Sequence, residues 1–367
     1  MAARVFFVGA TGHIGAALLE ILRAAYPELS IVAIVRSSSD AKAINEAYNG
    51  TVEPLLGSLD DFLLLKKQAS EAQIVINCAP DMGLDLGLSA ILSGLSLSGH
   101  DRRFYIHTSG ASRTWVAPDP THPGSRIWHD ITDVRSLPPT ATHAVTDIMV
   151  QSANTASVHT AIVSPSFVVG KSPSKTHKPP IIFPDWMHVT RAAGSGWTIG
   201  PGANHTTFVD TQDLANLYLL LVKDALSIIR DGEPAAVRPE VWGPEAYFFG
   251  DTLEISLREF TEKHLLPALK RNGAGHWVQD GEGGGIKELM LEDVVDCIMT
   301  RVGGTEGANL WSRHIAEGFG ISMRVRGRRG REYLGWKTSD GVDLDEAVRA
   351  TVDEIKRAGG GVNSVCE

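Results

Sequence analysis

Residues 5–22 read VFFVGATGHIGAALLEIL. An apolar run ends at Gly9, a tight turn follows, and an amphipathic run begins near Ile14. The pattern predicts a strand, a loop and a helix. Gly9 permits the turn, Gly12 lets the backbone approach a pyrophosphate, and Gly15 lets the helix pack close to the strand. Thr11, His13 and Ile14 fill the remaining places of the loop and helix start, where free N–H groups and the positive end of the dipole face a phosphate. The bland alternative is an empty structural turn. The position between a strand and a helix, opening a βαβ unit, favours a dinucleotide.

Working outward, ARVFFVG, SIVAIVR, QIVINCA, RFYIHTS and HTAIVSPSFVV are strand-like and rich in Val, Ile and Phe. Helical stretches separate them: Ile14 to Ala25, Asp60 to Ala69, Leu84 to Ser98, and about His143 to Ser157. Strands alternating with helices imply a doubly wound parallel sheet, and continuous apolar strands imply cover on both faces. Residues 1–170 therefore read as a Rossmann-type dinucleotide domain. The helix near 210–225 is expected to pack back on it. Residues 171–367 read mainly as a smaller, mixed substrate lobe. KSPSKTHKPPIIFPDW reads as a loop or lid, SLREF as a helix start capped by Ser256, and DGEGGG as a flexible link. Trp186, Trp197, Phe208 and Trp242 suit either an apolar pocket or core.

Of the 367 residues, 43% are hydrophobic and 21% charged, as in a globular chain. Asp plus Glu number 43 against 34 Lys plus Arg, a formal charge of -9, which argues against non-specific nucleic-acid binding. The Arg-rich stretch MRVRGRRGREY reads as a solvated or acid-pairing segment rather than a nucleic-acid patch. Cys78, Cys297 and Cys366 form no CxxC pair, so no metal site is expected and a reducing, cytoplasmic setting is. No apolar run approaches the roughly 20 residues that span a membrane.

The second strand-like run ends VAIVRSSSD. An NAD enzyme usually places an acid there for the ribose hydroxyls. Arg36 stands there instead, with Ser37 and Ser38 beside it, and a guanidinium suits a 2′-phosphate. NADP is the expected cofactor, with NAD second. The plain alternative is a solvated surface Arg.

GATGHIG, LLGSLDD, VINCAP, YIHTSGAS, VSPSFVVG and GANHTTFVDTQDLANLY occur in the order seen in extended short-chain dehydrogenases, relatives of the nucleotide-sugar epimerases. Over roughly residues 4 to 340 the chain most resembles an atypical, epimerase-like branch common in fungal genomes. The resemblance implies cofactor contacts at Ala79 and Thr108, and at Ser58 and Leu59, which stand where the family has GDL. It places the catalytic Ser slot near Gly110, leaving Ser109 or Ser112 to serve. It puts the catalytic Tyr and Lys slots on His143 and Asp147. Tyr333 to Lys337 form the only YxxxK spacing, far past the sheet, and are expected to be structural.

His can act as a proton donor near neutral pH, whereas Asp cannot supply the charge of the missing Lys. At i and i+4 the two would share a helix face, so Asp147 would orient His143. The plain alternative is a surface helix pair. Three functions stay open: an NADP-dependent oxidoreductase or epimerase-like enzyme on a small carbonyl or alcohol, in specialised metabolism; a non-redox isomerase, dehydratase or cyclase using His143 and Asp147; and a non-catalytic NADP-sensing regulator. The expected partner is a small molecule, and a homodimer is compatible with the reading.

Overall fold

The computed structural model describes residues 3–79, 85–97, 102–175, 179–231, 237–278, 285–302 and 306–357. The stretch before Gly9 forms β1 (Arg4–Val8), and α1 (His13–Ala25) follows the glycine turn. The chain continues through β2 (Ser30–Val35), α2 (Ser38–Tyr48), β3 (Val52–Leu56), α3 (Phe62–Glu71), β4 (Ile74–Asn77), α4 (Asp85–Ser96) and β5 (Arg103–Thr108). After a long connection come α5 (Ala144–Ser152), β6 (Val158–Pro165), β7 (Phe167–Val169), α6 (Phe183–Ala193), β8 (His205–Asp210), α7 (Thr211–Asp231), β9 (Tyr247–Gly250) and β10 (Leu253–Ser256). Four later helices matter below: α8 (Leu291–Val302), α9 (Glu306–Gly320), α10 (Arg328–Leu334) and α11 (Leu344–Arg357).

Seven parallel strands form the main sheet, in the order β9-β6-β5-β4-β1-β2-β3. The chain builds outward from β1 to β3, then returns to the other side of β1 with β4. The crevice where a doubly wound sheet binds ligand lies at that reversal, outside the carboxyl ends of the strands. One face of the sheet packs against α1 and α7, joining Leu18 and Leu22 to Leu214, Leu217 and Leu221. The other face is covered by α3 and α4 through Leu65, Leu88 and Ile91.

Two elements fall outside the apolar runs of the sequence. β3 is VEPLL, where Glu53 and Pro54 break the apolar pattern, and it stands at the sheet edge. Pro lacks an N–H and is tolerated at an edge. In α2 only Ile44 is buried, so little periodicity shows. Residues 171–175 and 179–182 of the Pro-rich stretch are irregular, but its end forms α6, with Pro184 in the first turn. The DGEGGG link and the glycines after Arg357 lie outside the described residues, apart from Gly285.

The second lobe has its own core. Trp186, Trp197, Phe208, Phe260 and Phe319 pack together there, and each is essentially inaccessible. Trp242 belongs to the first core, its indole N–H donating to Asp224. Trp186, Trp197, Phe208 and Trp242 are therefore core, not pocket lining. Ser256 caps the SLREF helix by accepting from the Glu259 N–H at 3.1 Å. The Arg-rich stretch is paired with acids: Arg324 and Arg326 with Glu254, Arg331 with Asp251, and Arg328 with Glu332.

Candidate active site

The glycine turn is shaped by contacts a side chain would destroy. Gly9 has φ +82°, and a Cβ there would lie 2.7 Å from the Ala79 nitrogen. A Cβ on Gly15 would lie 2.0 Å from the Gly9 carbonyl oxygen. Gly12 stands before α1 with extended backbone, and no side chain caps the helix. Gly12 thus offers α1 no side-chain oxygen, and the cradle fits a dinucleotide diphosphate.

A strap from the second lobe lies against this loop. Ser172 donates to the His13 carbonyl and Ser174 to the Thr11 carbonyl, each at 2.7 Å. Thr211 donates to the Val169 carbonyl, so at 2.9 Å it accepts from His13, whose Nε2 carries the proton. Asp210 caps α7, accepting from the Gln212 N–H at 2.8 Å.

Arg36 is exposed at the end of β2. Ser37 accepts from the Asp40 N–H and caps α2. The Ser58 N–H donates to Asp61 at 2.5 Å, and Leu59 leans on the α3–α4 core. The Ala79 N–H donates to Asn77 Oδ1 at 3.1 Å. Thr108 shares a 2.6 Å hydrogen bond with Tyr218. Burial pushes the neighbouring Cys78 thiol up to about 12, leaving it protonated.

Polar groups continue beneath the crevice. Because Asn77 Oδ1 accepts from Ala79, its Nδ2 faces the Tyr105 hydroxyl and donates to it at 3.1 Å. Tyr105 then donates to His107 Nδ1 at 3.1 Å, which leaves the His107 proton on Nε2. His107 is fully buried and is a charge neighbour of Asp147. Asp147, 1% exposed, accepts from the Tyr247 hydroxyl at 3.0 Å and faces Arg113 Nε at 3.3 Å. Ser109 lies 3.3 Å from the same Tyr247 hydroxyl. Burial raises the Asp147 carboxyl, opposed by His107, Ser109, His143 and Tyr247. Burial and Asp147 hold the Tyr247 phenol well above its ordinary value, so it stays a donor.

This corrects the expected i, i+4 pair. α5 starts at Ala144, and His143 precedes it with left-handed backbone, φ +69°. His143 stays a charge neighbour of Asp147, and its carbonyl accepts from the Asp147 N–H at 2.9 Å, but the carboxylate's hydrogen bond and ion pair go to Tyr247 and Arg113. The imidazole lies over Gly110 instead: a Cβ at Gly110 would be 2.7 Å from His143 Nε2. Gly110 and His143 form one feature, since the ring fills space that a side chain at 110 would need. Left-handed backbone at a residue with a Cβ is costly and often marks a functional site.

The second lobe closes over this ring. His314 of α9 is half-buried, with its ring centroid 4.7 Å from that of Trp115. Burial first, and His143 second, lower the His314 imidazole to about 4. Tyr247, Arg113, Trp115 and His314 were not read as site residues from the sequence. Tyr247 lies 100 positions from Asp147. Its only local signal is a strand-like YFF, and His314 has none.

Other buried or half-buried polar side chains stand apart from this hub. His188 meets Thr300 and His205 meets Glu254, both in the second lobe. Asp130 accepts from the N–H groups of Phe249, Arg328 and Arg329, tying the long loop to β9 and α10, and burial pushes its carboxyl to about 7. Tyr333 packs against the first core, while Lys337 is exposed. Among the described residues no His, Cys, Asp or Glu cluster is placed to hold a metal ion, and no helix is long and apolar enough to cross a membrane.

No family model matches the chain. The chain is 27% identical over 356 residues to the oxidase ucsJ of an Acremonium species, covering 92% of this chain and 93% of the oxidase. Among solved structures it resembles the dTDP-glucose 4,6-dehydratase DesIV of Streptomyces venezuelae, crystallised with NAD (TM-score 0.62, 16% identity, 97% and 98% of the two chains). It also resembles the terminal R domain of the myxalamid PKS-NRPS pathway (TM-score 0.63, 13% identity, 98% and 92%). A third match is the UDP-glucose 4-epimerase of Thermotoga maritima (TM-score 0.56, 14% identity, 97% and 99%). The chain thus has the Rossmann-type fold of the epimerase and dehydratase enzymes.

Proposed function

We propose that the chain is an NADP-binding enzyme of the extended short-chain dehydrogenase type, acting on a small carbonyl or alcohol in specialised metabolism. The observation that carries this is the seat of His143: a half-buried imidazole over Gly110, at the carboxyl end of β5, on the same side of the sheet as the glycine cradle. Gly9, Thr11, Gly12, His13, Ile14 and Gly15 hold the diphosphate, and Arg36 takes the 2′-phosphate. Ser37, Ser58 and Leu59 flank the adenosine end, Ala79 and Thr108 the nicotinamide side. Bound nicotinamide would supply hydride exchange.

His143 gives a proton to the substrate oxygen, or takes one from it, at Nε2. Asp147 and Ser109 stand behind as positioning residues. With Tyr247 and Arg113 they form a filled polar hub that fixes the start of α5. Asp147 in the Lys slot brings no cation to the ribose. That same feature favours a second reading, a non-redox isomerase or dehydratase on the same site.

Calorimetric titration with NADP and NAD tests the cofactor. Nicotinamide absorbance with a panel of carbonyls and alcohols then tests hydride transfer, in the parent and in His143→Phe. Binding with turnover that falls about a hundredfold in the variant supports the first reading. Binding with no absorbance change on any substrate favours the second. Absence of binding removes both.

A further inference from the structure

The wall opposite His143 is built of rings. Trp115 is locked in place: a Cβ on Gly318 of α9 would fall 2.6 Å from its indole edge, with Phe167 alongside. His314 tilts 33° against the Trp115 face at 4.7 Å, and Trp311 lies 6.3 Å from His314. The Trp115 indole N–H is enclosed and has no acceptor. A buried donor without a partner is rare and needs an explanation.

The rim beside this wall is apolar and open. Val116 follows Trp115, and Leu310 stands one turn before His314 on the same face of α9; each is 69% exposed. Each ring of the wall is thus bordered along its own segment by an exposed apolar side chain. Among the described residues, the cations that adjoin these rings in the chain, Arg113 and Arg313, are committed. Arg113 serves Asp147 and the Pro138 carbonyl, and Arg313 serves Glu292. The low His314 value leaves that ring uncharged at neutral pH.

We propose that the Trp115–His314 wall is the substrate-specificity element, and that it takes a planar, uncharged group bearing an oxygen acceptor rather than a diphosphate-linked sugar. The ring stacks beside Trp115 and His314, the acceptor meets the Trp115 N–H, and the apolar remainder leaves past Val116 and Leu310. A diphosphate there would shed its hydration without gaining a counter-charge. The inference rests on the His143 crevice being the substrate site.

The test uses the full chain saturated with NADP. Two probes, 2-acetylnaphthalene and UDP-glucose, are titrated by calorimetry and tryptophan fluorescence. The ketone should quench fluorescence and bind at least tenfold more tightly than UDP-glucose. Trp115→Ala should weaken it at least tenfold, and Trp115→Phe, which keeps a ring but loses the N–H, severalfold. Leu310→Lys, which puts a charge in the apolar exit, should weaken the ketone severalfold. If Trp115→Ala fails to bind NADP, the other two variants decide. No ketone binding, ketone binding that ignores all three variants, or UDP-glucose binding to the parent as tightly as the ketone would overturn the proposal. NADP binding retained in those cases would leave the cofactor reading intact.

Discussion

The cradle at the start of α1 and the His143 wall at the start of α5, which faces the Trp115–His314 rings, solve the same problem with different materials. Both bring a helix terminus to the carboxyl ends of the sheet, and both depend on a glycine. At Gly15 the missing Cβ faces a backbone carbonyl at 2.0 Å; at Gly110 it faces the tip of a histidine ring at 2.7 Å. Backbone cannot step aside, but a side chain can turn. The cradle should therefore tolerate no change, while the wall can be rewritten residue by residue, provided its partners change together.

The largest effect is expected where the wall is rigid. Asp147→Ala would leave Arg113 charged and enclosed, with side-chain exposure of only 7%. Removing one partner of a buried pair costs about 3–5 kcal/mol. Urea denaturation should show that loss; a loss below about 1 kcal/mol would mean the pair is not integral to the hub.

Next comes the glycine contrast itself. Gly15→Ala should cost about 3 kcal/mol, the upper end for overpacking, and abolish NADP binding. Gly110→Ala should cost under about 1.5 kcal/mol, a tolerated core change, yet lower turnover by displacing His143. Equal destabilisation in thermal melts would erase the distinction between the two regions.

A pH effect follows from His314. Its folded value, about 4, lies below the ordinary 6.5, so the unfolded chain takes the proton first. The contribution is fully present above pH 6.5 and is lost as pH falls from 6.5 towards 4. Between pH 7 and pH 5 the parent should lose about 1–2 kcal/mol more than His314→Gln, allowing for partial exposure. Parallel stability curves for the two proteins would contradict this.

The smallest effect concerns the cradle's outer edge. Arg36→Ala should weaken NADP about tenfold and leave NAD unchanged, the size of one charge-assisted contact. Calorimetry on both cofactors checks it, and a similar drop for both would remove the 2′-phosphate role.

The difference between the regions also explains what could be read from the chain. The cradle was legible because its parts are contiguous: a strand, three glycines and a helix within eighteen residues, each glycine imposed by backbone. The parallel sheet was legible for the same reason, through runs such as RVFFV and SIVAIV. β3 and α2 were faint because an edge strand and a helix burying only Ile44 carry little apolar pattern. The wall was not legible. Helical spacing suggested that Asp147 would hold His143, but the helix begins one residue later and the ring turns to Gly110. Asp147 finds Tyr247 from β9 and Arg113 from the loop after β5, and His314 arrives from the other lobe. Contacts between elements so far apart leave no periodicity in one sequence.

The account stands on His143 facing the reacting end of the cofactor. The direct measurement is a crystal structure of the full chain with NADP bound. It should show the diphosphate on the N–H groups at the start of α1 and the nicotinamide beside Gly110. His143 Nε2 should be within hydrogen-bond reach of an oxygen placed over the reactive ring carbon. A nicotinamide directed away from Gly110, or His143 turned out to solvent with cofactor in place, would contradict it.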